Sequence, residues 1–297
     1  MFTFAQISDF HIAVPGSRMS KLRTDDHLRV MVSHLNKLPC APEFVICTGD
    51  LVDEGSTEEY AIMSEIISEL RMPYFFIPGN HDERDSMRKV FPNHDYLSGH
   101  DGFIQYTIED YELRLIGLDT VIPGEAGGRL CPKRINWLQD RLAEQPNRPT
   151  IIFMHHPPFR TGILRMDEMG FENPPEFASI LTEHSHIEAV LAGHLHRPIN
   201  RKIANTIAMT APGPAHQIAL DLTGEDRLAI TMEPPAALIH LWLGSEDGLV
   251  SHVSYSGDCY KHQVIYAAGK RVRAENRPAP TIPVSYTHLT LPTILLV

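Results

Sequence analysis

Five apolar runs in this chain end in short polar motifs, and that pattern constrains the fold more than any other feature. Phe2–Ser8 runs into Asp9-Phe10-His11, and Phe44–Thr48 into Gly49-Asp50. Tyr74–Pro78 runs into Gly79-Asn80-His81-Asp82, Ile151–Met154 into His155-His156, and Ala189–Ala192 into Gly193-His194-Leu195-His196. Short continuous apolar runs bounded by turn residues read as buried strands. Helical patterns separate them. Leu28, Met31, Val32, Leu35 and Leu38 recur at helical spacing. Ser56 with Glu59 three residues on reads as a capping box, followed by the stripe Tyr60, Met63, Ile66, Ile67 and Leu70. Strands alternating with helices predict an α/β fold whose sheet is covered on both faces. In such folds the carboxyl ends of strands line one edge, where ligands bind. Five distant segments would thus deliver their Asp, Asn and His side chains to one crevice.

Other elements follow the same logic. Gln105–Ile108 and Leu113–Leu118 flank Glu109-Asp110-Tyr111 as a hairpin. Pro132 opens a helix through Leu142, because proline suits the first helical turn. The pattern changes near residue 205. Ile207–Thr210, Leu228–Met232, Ala237–Leu243 and Leu249–Tyr255 read as strands separated by Gly, Pro and Asp. They are expected to complete the sheets, cap the site or form an oligomer contact. For the last role, Met232, Leu238, Ile239, Leu241 and Trp242 supply apolar surface. The chain therefore divides into a core at 1–204, added strands at 205–276 and a tail at 277–297. The tail, broken by Pro278, Pro280 and Pro283 and ending SYTHLTLPTILLV, reads as disordered or as translated cloning read-through.

Composition narrows the class. At 43% hydrophobic and 21% charged, the chain is an ordinary globular protein. A net charge of −11 gives no bulk attraction for nucleic acid or anionic lipid. Arg197, Arg201 and Lys202 form the best basic cluster and read as a solvated face. The four cysteines form no CxxC pair, and Cys47 lies inside an apolar run, so free thiols are expected. The first residues lack the basic and apolar regions of a signal peptide, and no run of 18 apolar residues exists. A cytoplasmic protein is expected. The surplus is histidine: 17, against 12 Phe and 9 Tyr.

Histidine and carboxylate together suit Zn, Fe, Mn or Co, whereas a calcium site would be all oxygen. No thiolate sits in any motif, which argues against a structural zinc site. One carboxylate can bridge two ions, and two ions about 3.5–4 Å apart can clamp an in-line displacement at phosphorus.

The ordered set DxH…GD…GNH[DE]…H…GHxH, spanning Asp9 to His196, resembles the signature of the calcineurin-like metallophosphoesterases. HHPPF, Gly162, Met166-Asp167, Glu172-Asn173 and PGPAHQ at 212–217 add a resemblance to the bacterial class III phosphodiesterases, which include glycerophosphodiesterases and cyclic-nucleotide phosphodiesterases. The resemblance implies a four-layer α/β/β/α sandwich with added C-terminal antiparallel strands. It implies two divalent or trivalent ions. Asp9, His11 and His196 would hold one, Asn80, His155 and His194 the other, and Asp50 would bridge them. It also implies hydroxide attack at phosphorus. His81 would position substrate or move protons, Asn80 would sit beside it, and His216 is a further substrate-side candidate. His156 is expected to be structural, because adjacent strand residues point to opposite faces.

Departures bear on the substrate. Protein phosphatases of this superfamily read GDxVDRG and RGNHE, and those arginines grip a phosphate dianion. Here Glu54 and Pro78 stand at those places. A carboxylate repels a dianion more than a monoanion, so a small phosphodiester is expected over a phosphoprotein. The alternatives are a phosphomonoesterase or nuclease of the same superfamily, and, more remotely, a non-catalytic metal-bound scaffold.

Overall fold

The computed structural model describes residues 1–257 and the backbone of two short strands at 266–267 and 270–271. The tail at 277–297 and Cys259 lie outside the described residues. In chain order the elements are β1 (Phe2–Ile7), α1 (Thr24–Asn36), β2 (Val45–Cys47), α2 (Thr57–Ile67), β3 (Tyr74–Phe76) and α3 (Arg84–Val90). Next come β4 (Tyr106–Ile108), β5 (Arg114–Leu118), α4 (Pro132–Glu144), β6 (Thr150–Met154), α5 (Leu164–Glu168) and α6 (Pro174–Glu183). The series ends with β7 (Ile187–Ala192), β8 (Ile199–Ile203), β9 (Thr206–Thr210), β10 (Gln217–Ile218), β11 (Ile230–Thr231), β12 (Ala236–Trp242) and β13 (Leu249–Tyr255).

Two sheets stack between helices, giving the expected α/β/β/α order. The first has strand order β13-β12-β1-β2-β3, with β1, β2 and β3 parallel. The second has order β4-β5-β6-β7-β9-β8, with β5, β6, β7 and β9 parallel. Side chains alternate across a strand, and the second sheet shows both faces buried. Leu115, Ile151, Phe153, Ala189 and Leu191 join the core shared with the first sheet and with α1 and α2. Their neighbours Ile116, Ile152, Met154, Val190 and Ala192 pack instead with α4 and α6. Each large side chain fully buried this way contributes about 1.5–3 kcal/mol.

Local signals explain several boundaries. The capping box forms as expected: the Ser56 side chain accepts from the Glu59 backbone, and the Glu59 carboxylate accepts from the Ser56 backbone. Pro132 occupies the first turn of α4. The β4–β5 hairpin is antiparallel. The segments after residue 205 are divided between the sheets. β9 pairs in parallel with β7, while β12 runs antiparallel to β1 from Phe2↔Trp242 to Gln6↔Leu238. Of the five apolar residues expected to offer an oligomer contact, Leu238 and Trp242 are buried within the chain's own sandwich and Met232 is exposed. Arg197 is engaged by the Glu233 carboxylate at 2.8 Å and the Ile218 carbonyl, while Arg201 and Lys202 are exposed on β8.

Gln6 straps the two sheets together below their carboxyl ends. Its amide nitrogen donates to Thr48 Oγ1 at 3.1 Å, just past β2, and to the Ala192 carbonyl at 2.8 Å at the end of β7. Its oxygen lies 3.3 Å from His240 Nε2 on β12.

Candidate metal centre

Every one of the five motifs begins within three residues of a strand end: β1, β2, β3, β6 and β7. The first sheet supplies Asp9, His11, Asp50, Asn80 and His81. The second supplies His155, His194 and His196. Carrying side chains from strand ends into one crevice demands tight backbone. Among the described residues, positive φ is found at Asp9 (58°), His11 (46°), Asp50 (50°), His194 (71°) and His196 (49°). Asp, Asn and His visit this left-handed region more readily than other side chains do, yet each instance costs about 1–3 kcal/mol.

Asp9, His11, Asp50 and His196 form one fully buried group, their nearest donor atoms all within 4.8 Å of one another. His11 Nε2 and His196 Nε2 approach to 3.2 Å. His196 Nε2 is 3.5 Å from Asp9 Oδ1, and His11 Nε2 is 3.6 Å from Asp50 Oδ2. On the other side of Asp50, the same Oδ2 is 3.3 Å from His155 Nε2. His155 Nε2 lies 3.1 Å from Asn80 Oδ1. The His155 and His194 rings meet edge to face at 5.1 Å. Asp50 thus touches both groups.

Backbone carbonyls set the tautomers. His155 Nδ1 faces the Thr48 carbonyl at 2.7 Å, His194 Nε2 the Met169 carbonyl at 3.1 Å, and His196 Nδ1 the His216 carbonyl at 3.2 Å. A carbonyl only accepts, so each of those nitrogens carries the hydrogen and the other ring nitrogen keeps its lone pair, as metal-ligating histidines require. Asp9 Oδ2 is buried with no hydrogen-bond partner. A buried carboxylate oxygen without a donor, beside two imidazole nitrogens 3.2 Å apart, fits a cation and little else. The residues present therefore fit metal ions.

Electrostatics agree. Burial pushes Asp9 up to about 7, with the Asp50 charge adding to it and His155 opposing. Burial works against Asp50 too, but His155, His81 and His11 hold it well below the usual carboxylate range. For His155, burial opposes protonation, yet Asp50 raises it to about 9, so its Nε2 holds a proton that a bound cation would displace. Burial, reinforced by His155, pushes His194 down to about 3.

His81 sits at the rim with its side chain 39% exposed, its Nδ1 2.7 Å from the Asp53 carbonyl. It is not the partner of Asp82, whose carboxylate accepts from Tyr60 Oη and the Gly79 and Leu51 amides. His216 is buried against His196, with ring centroids 4.6 Å apart, and its Nδ1 has no partner. Two residues lay outside the sequence expectation. Asp53 Oδ1 is 3.4 Å from His11 Nδ1, a position readable only as the last acid of GDLVD. His156 does lie beside the centre, its ring 4.7 Å from that of His194. Face alternation does not separate it from His155, because β6 ends at Met154 and both histidines stand beyond it.

A cleft of about 320 Å³ opens over this rim, lined by Asp53, Glu54, Asn80, His81, Gly124, Glu125 and Ala126.

Known proteins resemble this chain in sequence and in fold. A probable glycerophosphodiester phosphodiesterase of Arcobacter nitrofigilis is 36% identical over 85% of this chain and 92% of its own length. A probable cyclic nucleotide phosphodiesterase of Rhodopseudomonas palustris is 33% identical over 78% and 85%. A dimetal phosphatase from Danio rerio has the same fold, with a TM-score of 0.60 and 15% identity over 86% of this chain and 99% of that one. The family model described as calcineurin-like phosphoesterase matches residues 2–198, the stretch that contains both sheets' motif-bearing strand ends. With its motifs, its stacked sheets and two-thirds of its length in agreement, the chain belongs to the calcineurin-like phosphoesterase family.

Proposed function

We propose that this protein is a binuclear metal-dependent phosphodiesterase acting on small phosphodiesters, either glycerophosphodiesters or cyclic nucleotides. The observation that carries it is Asp50 Oδ2, within 3.6 Å of His11 Nε2 and 3.3 Å of His155 Nε2. On this reading Asp9, His11 and His196 hold one ion, Asn80, His155 and His194 hold the second, and Asp50 serves both. Bound ions of the Fe, Mn, Zn or Co type supply Lewis acidity toward phosphoryl oxygens and a lowered pKa for water. The chain's own side chains do the rest. His81 donates Nδ1–H to the Asp53 carbonyl and lines the cleft, which leaves Nε2 free for proton transfer. Burial works against its protonation, but the Asp50 and Asp53 charges and the Asp53 carbonyl raise its pKa, so it can hold a proton for a departing alkoxide. Asn80, which lines the same cleft, orients the substrate, and His216, its ring 4.6 Å from that of His196, is a further substrate-side residue.

The cleft lining supports a diester. Asp53, Glu54 and Glu125 line it, and no Lys or Arg does. A monoester dianion meets more repulsion there than a diester monoanion. Homologues named for glycerophosphodiesters and for cyclic nucleotides keep both classes in play. The unpaired thiols of Cys40, Cys47 and Cys131 suit a reducing compartment, the cytoplasm. Among the described residues, no helix is long and apolar enough to cross a membrane.

The test is hydrolysis of bis(p-nitrophenyl) phosphate and p-nitrophenyl phosphate with Mn and with chelator. Glycerophosphoethanolamine, 3′,5′-cyclic AMP and 2′,3′-cyclic AMP extend the panel. Chelator-sensitive turnover with kcat/KM higher for the diester is expected. Folded, metal-loaded protein that turns over neither ester, or that prefers the monoester, overturns the reading. Asp50→Ala should lose bound metal and activity together. His81→Ala should keep metal and lose about 10²–10⁴-fold in kcat, the usual scale for a proton-transfer residue.

A further inference from the structure

The molecule contains a fully buried histidine that the proposed chemistry does not use. His156 is 0% exposed, and both its ring nitrogens are committed. Nε2 lies 3.1 Å from the Ala126 carbonyl and Nδ1 2.7 Å from Thr120 Oγ1. A carbonyl only accepts, so Nε2 carries the hydrogen and Nδ1 accepts from the threonine hydroxyl. One ring therefore ties residue 120 to residue 126, and the segment between and just beyond them forms one wall of the cleft. Gly124, Glu125 and Ala126 line it together with Asn80 and His81.

We infer that His156 is a positioning residue that fixes this wall, Val121–Gly128, as the surface that reads the alcohol portion of the phosphodiester. The inference rests on the phosphodiesterase reading above.

The wall is built as a closed hairpin. Arg129 N donates to the Thr120 carbonyl at 2.8 Å, Val121 bridges Gly128 in antiparallel fashion, and Glu125 N donates to the Ile122 carbonyl at 3.0 Å. Gly128 lies directly against the ring of His156. A Cβ at Gly128 would stand 2.2 Å from Nδ1 and 2.3 Å from Cγ. Two arginines grip the start of the wall. Arg84 and Arg134 both donate to the Val121 carbonyl, and Arg84 follows directly on the loop that carries Asn80 and His81.

The wall also joins the metal groups. Gly128 N donates to the Gly170 carbonyl at 3.1 Å, and Glu172 N donates to the Gly128 carbonyl at 2.7 Å. The residue before Gly170 is Met169, whose carbonyl orients His194. The ring of His156 packs against the same His194 at 4.7 Å. Ring and wall thus border His194, whose own orientation is set by the Met169 carbonyl. Glu125, at the turn, lines the cleft.

The test separates a positioning role from a merely structural one. His156→Leu removes both hydrogen bonds at similar volume, and His156→Gln can restore the one to Ala126. Thr120→Val breaks one bond and leaves the ring in place, so it reports even if the leucine variant does not fold. For bis(p-nitrophenyl) phosphate, His156→Leu is expected to raise KM about tenfold and Thr120→Val about threefold, the scale of one or two lost hydrogen bonds. Bound metal should be unchanged and kcat should stay within about twofold, because uniform binding is what is lost. His156→Gln should bring KM back to within about threefold of wild type. Amide hydrogen exchange should quicken at 121–128 and not at 48–53. Unchanged KM, or kcat and bound metal falling together with it, overturns the inference. A wild-type protein without diesterase activity defeats the functional reading instead, and the exchange measurement still decides whether His156 holds the wall.

Discussion

Gly79 and Gly193 each precede a residue of the metal groups, and neither has room for a methyl group. A Cβ at Gly79 would stand 2.2 Å from Asp50 Oδ1, and one at Gly193 would stand 2.1 Å from Ser8 Oγ and 2.7 Å from the Thr48 carbonyl. The Thr48 carbonyl is the one that orients His155. Gly193→Ala should therefore destabilise the protein by about 1–3 kcal/mol, the usual cost of overpacking, and weaken metal binding as well. Urea denaturation and metal titration of the variant check both. At this scale the sequence showed which residues converge, because Asp, Asn and His at strand ends announce themselves. It did not show why glycine precedes them, since the clashes are with residues distant in the chain, Asp50 for Gly79 and Ser8 and Thr48 for Gly193. Asp53 and His156 were hidden for a related reason. Their roles depend on which backbone carbonyls and hydroxyls the folded loops bring alongside.

Strands and helices with one apolar stripe or run were readable: β1, α2 with its capping box, the β4–β5 hairpin and α4 all fall within a few residues of expectation. Those that were not readable share a physical cause. β8 presents Asn200, Arg201 and Lys202 to solvent at the sheet edge, so it shows no apolar alternation. α6 hides its start behind Pro174-Pro175, a first-turn proline signal buried in what looked like a loop. β12 was readable as a strand, but its central His240 was not readable as a core residue. It stacks on Phe4 at 4.7 Å, faces Ser251 Oγ at 2.7 Å, and is fully buried. Burial, with His252 adding, pushes it down to about 3 from 6.5. The unfolded chain therefore binds a proton that the folded one refuses between those values. Stability is full above about pH 6.5 and falls as pH drops toward 3. His240→Gln should lose about 2 kcal/mol less stability than wild type between pH 7.5 and 5. Denaturant midpoints at the two pH values measure it.

Across the whole molecule, the donor atoms are divided between two sheets that share one core. Ions seated among Asp9, His11, Asp50, Asn80, His155, His194 and His196 would bind the folded chain and not the unfolded one. Chelation should therefore lower Tm, and free metal at a hundredfold excess over Kd should add about 2.7 kcal/mol. Differential scanning fluorimetry with chelator and with added Mn checks this. The acidity of the chain, which argued against polyanions at the outset, is compatible with a small monoanion held by cations.

The division between sheets has a consequence for how the molecule could be taken apart. Residues 98–102 form an exposed loop between β3 and β4. A break there leaves Asp9, His11, Asp50 and Asn80 on one polypeptide and His155, His194 and His196 on the other. Neither fragment owns a complete donor set, so each ion would act as a rivet between two pieces. The β1–β12 seam would supply a metal-independent handhold. Co-expressed halves should reconstitute diesterase activity with a dependence on metal concentration steeper than that of the intact enzyme. Such a pair would make the protein a two-component metal sensor whose output is its own turnover.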